Sequence, residues 1–250
     1  MTQKTAFITG ATSGIGMATA RLLSKNGYRL VLTGRRMDRL EKLKAEMDRQ
    51  KTFLLYFDVR NKNEVDKAIA SLPDEWKKID VLINNAGLAA GMEPVAEADM
   101  ADWEAMIDTN IKGLLYITRQ ISRWMIERQQ GHIINLSSIA GKEAYPKGAV
   151  YCATKHAVEA ISKSLRIELL PYNIKVSRIC PGAVETEFSL VRFKGDQNKA
   201  DKVYEGFTPL SAQDIAESIY FVLSRPAHVN IDDMLIMPSA QGSAHDFYRK

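Results

Sequence analysis

Thr9-Gly10-Ala11-Thr12-Ser13-Gly14-Ile15-Gly16 is the stretch that decides the fold. It follows a short apolar run, Ala6-Phe7-Ile8, and opens a stretch over 16–25 with apolar residues at helical spacing. The order is strand, glycine turn, helix. Glycine permits the tight turn and lets the backbone approach a pyrophosphate with no Cβ in the way. The helix start then offers free N–H donors and a partial positive charge to phosphates. Glycines alone could mark any strand-to-helix turn. At the end of the first strand of an alternating pattern they predict a dinucleotide site. The predicted cradle is Gly10, Thr12, Ser13, Gly14, Ile15 and Gly16, spaced G-x-x-x-G-x-G.

Working outward, similar apolar runs recur at Leu30-Val31-Leu32, at 53–57, at Val81-Leu82-Ile83, at 133–136, at 174–176 and at 234–237. Short apolar runs without in/out alternation predict strands buried on both faces. Helical spacing over a charged face falls at 16–25, 36–49, 102–128 and 150–169, the third reading as two helices in series around Asn110. Strand and helix in alternation predict an α/β fold: one Rossmann-type, doubly wound, seven-stranded parallel sheet with helices on both faces. No linker or repeat divides residues 1–250, so one domain is expected, its cofactor half about 1–135 and its catalytic and substrate half about 136–250. The stretch 184–210 shows mixed polarity and no clear period, and is read as a lid.

Composition narrows the function. The 250 residues are 46% hydrophobic and 26% charged, which is ordinary globular usage. A net charge of +4, with 30 acidic residues among the basic ones, argues against nucleic acid as a partner. Cys152 and Cys180 form no disulfide framework, and the four histidines form no metal-binding motif, so no metal is expected. No signal peptide or membrane span is read, and a soluble cytoplasmic protein with a small-molecule substrate is the expectation.

The end of the second strand selects the cofactor. An NAD site places a carboxylate there, to accept from the ribose 2′-OH. Here the chain reads Leu32-Thr33-Gly34-Arg35-Arg36, with no carboxylate before Asp38. Two guanidiniums suit a 2′-phosphate, so Arg35 and Arg36 predict NADP; the alternative is the start of a solvated helix face. Asp58 and Val59 close the third strand, where a carboxylate could accept from the adenine amino group or cap a helix. Asn85, Ala86 and Gly87 close the fourth, at the same edge.

Tyr151 and Lys155 lie four apart on a predicted helix and so share a face. A phenol is a poor base at neutral pH, but a nearby ammonium favours the phenolate and lowers its pKa. Tyr151 could then serve as a general acid or base. Ser138 ends the fifth strand at the edge where such sheets bind ligands, thirteen residues before Tyr151. Asn110 is a poor helix former placed inside a helical stretch.

Taken in order, the glycine turn, Asn84-Asn85-Ala86-Gly87, Asn110, Ser138, Tyr151-Cys152-Ala153-Thr154-Lys155 and Pro181-Gly182-Ala183-Val184-Glu185-Thr186 resemble the short-chain dehydrogenase/reductase family. The resemblance implies that Tyr151 is the acid/base, that Lys155 orients the nicotinamide ribose and lowers the Tyr151 pKa, and that Ser138 holds the substrate oxygen. It implies an Asn110-anchored water relay with Lys155. It also places Pro181, Gly182, Val184 and Thr186 near the nicotinamide. Segments at 72–76, 87–94, 186–196 and 226–231 resemble the NADP-dependent 3-hydroxy acid dehydrogenase branch, whose members act on serine, L-allo-threonine and related acids as homotetramers. The helices over 111–128 and 150–169 resemble the family's dimer-forming helices. A substrate carboxylate buried in a pocket needs a cation; Arg192 is the expected partner, with Lys194 as the other choice. Two other readings stay open: a different carbonyl substrate such as a sugar, steroid or acyl ketone, and a non-catalytic cofactor-binding protein.

Overall fold

The computed structural model describes residues 3–250. Met1 and Thr2, part of the start in which no targeting signal is read, lie outside the described residues. Among the described residues, seven parallel strands form the main sheet: β1 Thr5–Ile8, β2 Arg29–Gly34, β3 Thr52–Tyr56, β4 Val81–Asn84, β5 Gly131–Leu136, β6 Ile174–Pro181 and β9 Asp233–Ile236. Their order in space is β3-β2-β1-β4-β5-β6-β9. Each of the seven apolar runs in the sequence is one of these strands.

Burial explains why most of those runs do not alternate. Ala6, Ile8, Leu30, Leu32, Val81 and Ile83 pack on one face, against α1 Gly14–Lys25, α2 Met37–Ala45 and α9 Ala212–Leu223. Phe7, Val31, Leu82, Ile133 and Val176 pack on the other, against α3 Lys62–Ala70 and α5 Leu114–Glu127. The final strand departs from the expectation of burial on both faces. It is an edge strand, paired only to β6, and its burial alternates, with Leu235 44% exposed.

The stretch predicted as two helices in series is α4 Met100–Ile107, a π-helical turn over Asp108–Gly113, and α5. Asn110 sits in that turn, where the wider spacing spares it an ordinary helical position. The long helix α6 Ala149–Glu168 carries Tyr151 and Lys155. The supposed irregular stretch 184–210 is instead largely structured. It contains a short strand β7 Val184–Glu185, helices α7 Glu187–Arg192 and α8 Gln197–Lys202, and the start of β8 Leu210–Ser211, which pairs with β7. Six-residue helices are too short to show a hydrophobic period.

The chain runs β1 to β3 outward on one side, then returns to place β4 against β1. That reversal leaves a crevice at the carboxyl ends of the central strands, where open α/β sheets bind ligands.

Candidate active site

A cleft of about 980 Å³ opens at that edge, at the upper end of the usual range for ligand pockets. At one end lies the glycine turn. Gly10 takes a positive φ of 66° and comes so close to β4 that a Cβ there would lie 3.0 Å from the Ala86 Cα. The Thr9 hydroxyl accepts from the Asn85 and Ala86 amides at 3.0 and 2.9 Å, locking the two strand ends together. The Asn85 side chain donates to the Thr9 and Gly10 carbonyls. Gly10, Thr12, Ser13, Gly14 and Ile15 line the cleft with Asn85, Ala86 and Gly87. Gly16 packs beneath it, against Gly10 and Asn85.

Arg35, Arg36, Asp58, Val59 and Arg60 line the same end of the cleft. The two arginines differ. Arg36 donates to the Thr12 and Ser13 hydroxyls at 3.0 and 2.9 Å and to Glu187 at 2.9 Å. Arg35 is more exposed, and its ion pair is a loose 3.6 Å contact with Asp58. Burial works against ionisation of Asp58, but Arg60 and then Arg35 outweigh it and hold the carboxyl below its usual range. Glu187, at the start of α7, also takes Arg39 at 2.5 Å. Burial opposes its charge as well, and the two guanidiniums again prevail. Neither Glu187 nor Arg39 is found by the sequence reading.

At the other end stand Ser138, Tyr151 and Lys155, lined further by Pro181, Gly182, Val184 and Thr186. Tyr151 and Lys155 are both buried, and the Lys155 ammonium lies 5.8 Å from the Tyr151 ring centre while donating to the Leu136 carbonyl at 2.9 Å. Burial pushes the Tyr151 hydroxyl well above its ordinary value, and the Ser138 hydroxyl and the charge of Arg192 oppose it. Burial also weakens the Lys155 charge, lowering its pKa to about 8 against the pull of Glu159.

The Asn110 amide accepts from Leu88 N at 2.9 Å and donates to Leu88 O at 2.8 Å and Thr154 at 3.0 Å. Its side chain is thus committed to the backbone beside the cleft. Gly87 separates it from Lys155; a Cβ there would meet the Asn110 oxygen at 3.3 Å and the Lys155 nitrogen at 3.6 Å. Thr186 caps α7 through Phe188 N and rests against Gly14.

Arg192, at the end of α7, lines the cleft, with its guanidinium carbon 5.8 Å from the Tyr151 ring centre. Its partners are the Gly91 carbonyl and the Tyr145 hydroxyl, both neutral. Lys194 is exposed and paired with Asp102 at 2.9 Å and Asp99 at 3.5 Å, which removes it as a free cation.

Behind the site, Arg178 of β6 is buried and pairs with Glu159, Asp232 and Asp233. Lys142, just past the Ser138 turn, pairs with Glu159 and Asp233. Glu159, Cys180 and Asp233 stand within ligand spacing of one another, but these two cations already neutralise the carboxylates.

This constellation has known counterparts. The short chain dehydrogenase family model matches residues 4–196, and the chain belongs to that family. It is 48% identical over 238 residues to an NADP-dependent 3-hydroxy acid dehydrogenase of Salmonella typhi, covering 95% of this chain and 96% of the relative. It is 45% identical to a serine 3-dehydrogenase of Agrobacterium fabrum, covering 96% of each. Among solved structures, the closed form of a serine dehydrogenase complexed with NADP+ superposes with a TM-score of 0.94 at 45% identity, covering 98% of this chain and all of that one.

Proposed function

We propose that this protein is an NADP-dependent oxidoreductase that interconverts a small 3-hydroxy acid, such as serine, L-allo-threonine or 3-hydroxypropionate, and the matching 3-oxo acid or semialdehyde. The observation that carries the substrate is Arg192, a guanidinium in the cleft beside Tyr151 with no carboxylate of the described residues in ion-pair range. A cation held by neutral partners wants an anion, and the fork of Arg matches a carboxylate.

NADP fits the residues present. The glycine turn closes on β4 so tightly that side chains there would fill the cradle. At the adenosine end, Arg35 and Arg36 face the cleft with Thr12 and Ser13, a donor set suited to a 2′-phosphate. When bound, the cofactor supplies the hydride donor or acceptor. Within this reading, Tyr151 moves the proton at the substrate oxygen, Ser138 donates a hydrogen bond to that oxygen, and Lys155 holds the ribose side of the site. Asn110 braces the Leu88 backbone beside them. Asp58, Val59, Asn85, Ala86 and Gly87 form the adenosine and central walls, and Pro181, Gly182, Val184 and Thr186 the nicotinamide end. Because burial favours the protonated phenol, Tyr151 is ready to donate to a carbonyl. In alcohol oxidation its proton must first leave, so the oxidation rate should climb with pH while reduction does not.

Kinetics tests both halves. Losing a charged contact to the 2′-phosphate costs about 1.5–3 kcal/mol, so NADPH should be preferred over NADH by roughly ten- to a hundredfold; equal kcat/KM for the two cofactors removes the assignment. Arg192→Leu should raise KM for serine far more than for an uncharged alcohol of similar size. If wild type ignores 3-hydroxy acids and turns over a neutral ketone instead, a carbonyl reductase of another substrate replaces this reading. We assign one domain to the chain and a cytoplasmic homotetramer to the protein. Supporting the assembly, Leu115 on α5 and Ile167 on α6 leave apolar side chains exposed on the two helices concerned.

A further inference from the structure

Arg192 is shared between two phenols. Its Nη1 donates to the Tyr145 hydroxyl at 3.1 Å, and its guanidinium carbon lies 5.6 Å from the Tyr145 ring centre, against 5.8 Å from that of Tyr151. Nε reaches the Gly91 carbonyl at 3.4 Å. A guanidinium has five N–H donors, so several are left to face the cleft. The Tyr145 hydroxyl, in accepting from Arg192, keeps its own proton to give elsewhere. Among the described residues its oxygen has no second partner. Tyr145 and its neighbour Pro146 both line the cleft.

The local chain is shaped around this ring. Tyr145 and Gly148 close a turn, with Gly148 N donating to the Tyr145 carbonyl at 3.2 Å, directly before α6. A Cβ at position 148 would fall inside the van der Waals envelope of the Tyr145 ring, closest to Cε2. Glycine at 148 therefore lets the phenol lie against the start of the helix that carries Tyr151. Burial also raises the Tyr145 pKa in spite of Arg192, which keeps the hydroxyl a donor.

We propose that Tyr145 is a specificity-determining residue, its hydroxyl donating to the substrate carboxylate beside Arg192 so that the pair selects 3-hydroxy acids over their neutral counterparts. The inference rests on the carboxylate reading given above. An acceptor-only group satisfies a phenol proton and a guanidinium together, and hydrogen bonds to an ionised acceptor are about twice as strong as neutral ones. An ester in the same place offers a weaker acceptor and no charge. An amide or ammonium brings donors to a site that already consists of donors.

The test compares 3-hydroxypropionate with its methyl ester at saturating NADP+, in wild type, Tyr145→Phe and Gly148→Ala, with the melting temperature of each variant recorded. Tyr145→Phe keeps the ring that flanks Arg192 and deletes the hydroxyl. It should raise KM for the acid about tenfold, the loss of one charge-assisted hydrogen bond. KM for the ester should move less than about twofold and kcat should be nearly unchanged. Gly148→Ala displaces the ring and should act in the same selective sense. A KM rise shared by acid and ester in both variants would make Tyr145 structural and overturn the proposal, as would an unchanged acid KM in Tyr145→Phe. A wild-type enzyme that does not favour the acid over the ester refutes the underlying carboxylate reading instead. Strong acid preference in wild type that survives Tyr145→Phe refutes only this inference.

Discussion

Two buried groups, a phenol and an ammonium, dominate the chemistry at the scale of single residues. Tyr151→Phe keeps the ring that packs 5.7 Å from Phe188 and removes the proposed proton carrier, so turnover should fall by about 10²-fold or more while NADP+ still binds, as titration by fluorescence would check. Lys155 is held against its own solvation. Its folded pKa, about 8, lies below the ordinary 10.5, so between these values the unfolded chain binds more protons and stability rises with pH. Below about pH 8 the full cost of the buried charge, about 3 kcal/mol, is present. Lys155→Met should therefore be inactive yet more stable than wild type at pH 7, and urea unfolding should show that gap shrinking towards pH 10. Tyr151, Lys155 and Ser138 were legible because short spacings along one helix and one strand end carry them. Tyr145 and Glu187 were not. Their partners lie 47 and 151 residues away, and no local pattern announces such a meeting.

Among elements, the stretch after β6 is where the sequence was least readable. Mixed polarity over 184–210 hides two helices of six residues, because each is less than two turns long and buries only part of one side. Helices α3 and α9 are not among the helical stretches read from the sequence, although each buries one apolar side, Val65 and Ile69 in α3 and Ile215, Ile219 and Val222 in α9. What the sequence offered for the lid was its cations, with Arg192 expected on the substrate carboxylate and Lys194 as the other choice. Folding separates them: the end of α7 turns Arg192 inward, while Lys194, at a φ of 53° just beyond, turns out to Asp102 and Asp99. Exposed pairs of this kind contribute little. Lys194→Ala should accordingly change the acid KM by less than about twofold, where Arg192→Leu changes it greatly; comparable effects of the two would mean that the lid, and not one guanidinium, sets the affinity. Glu187 fastens the other end of α7 to Arg36 and Arg39, so this helix runs along the cleft from the two arginines to the neighbourhood of Tyr151.

Over the whole molecule, alternation of strand and helix was enough to foresee a parallel sheet with covered faces. The spatial order was not readable, since nothing local to Val81-Leu82-Ile83 says that it will lie against β1 and not β3. The buried ion cluster was equally silent, its members being scattered over α6, β6, β9 and the turn after Ser138. Arg178, whose side chain is 3% exposed, is the hub of that cluster. Arg178→Met strands the Glu159 carboxylate with Lys142 alone, and should lower unfolding stability by about 3 kcal/mol, seen as a lower urea midpoint with an unchanged slope. The same hub has a consequence for how the chain is made. Arg178 and the outer edge of β6 leave the ribosome well before the carboxylates that complete them, since Asp232 follows 54 residues later. At about 5–20 residues per second that is roughly 3–10 s of synthesis. During that interval the growing sheet has an open edge and Arg178 has Glu159 as its carboxylate partner without Asp232 or Asp233, and an open edge invites pairing with other chains. A ribosome arrested short of residue 232 should thus hold a protease-sensitive, aggregation-prone product.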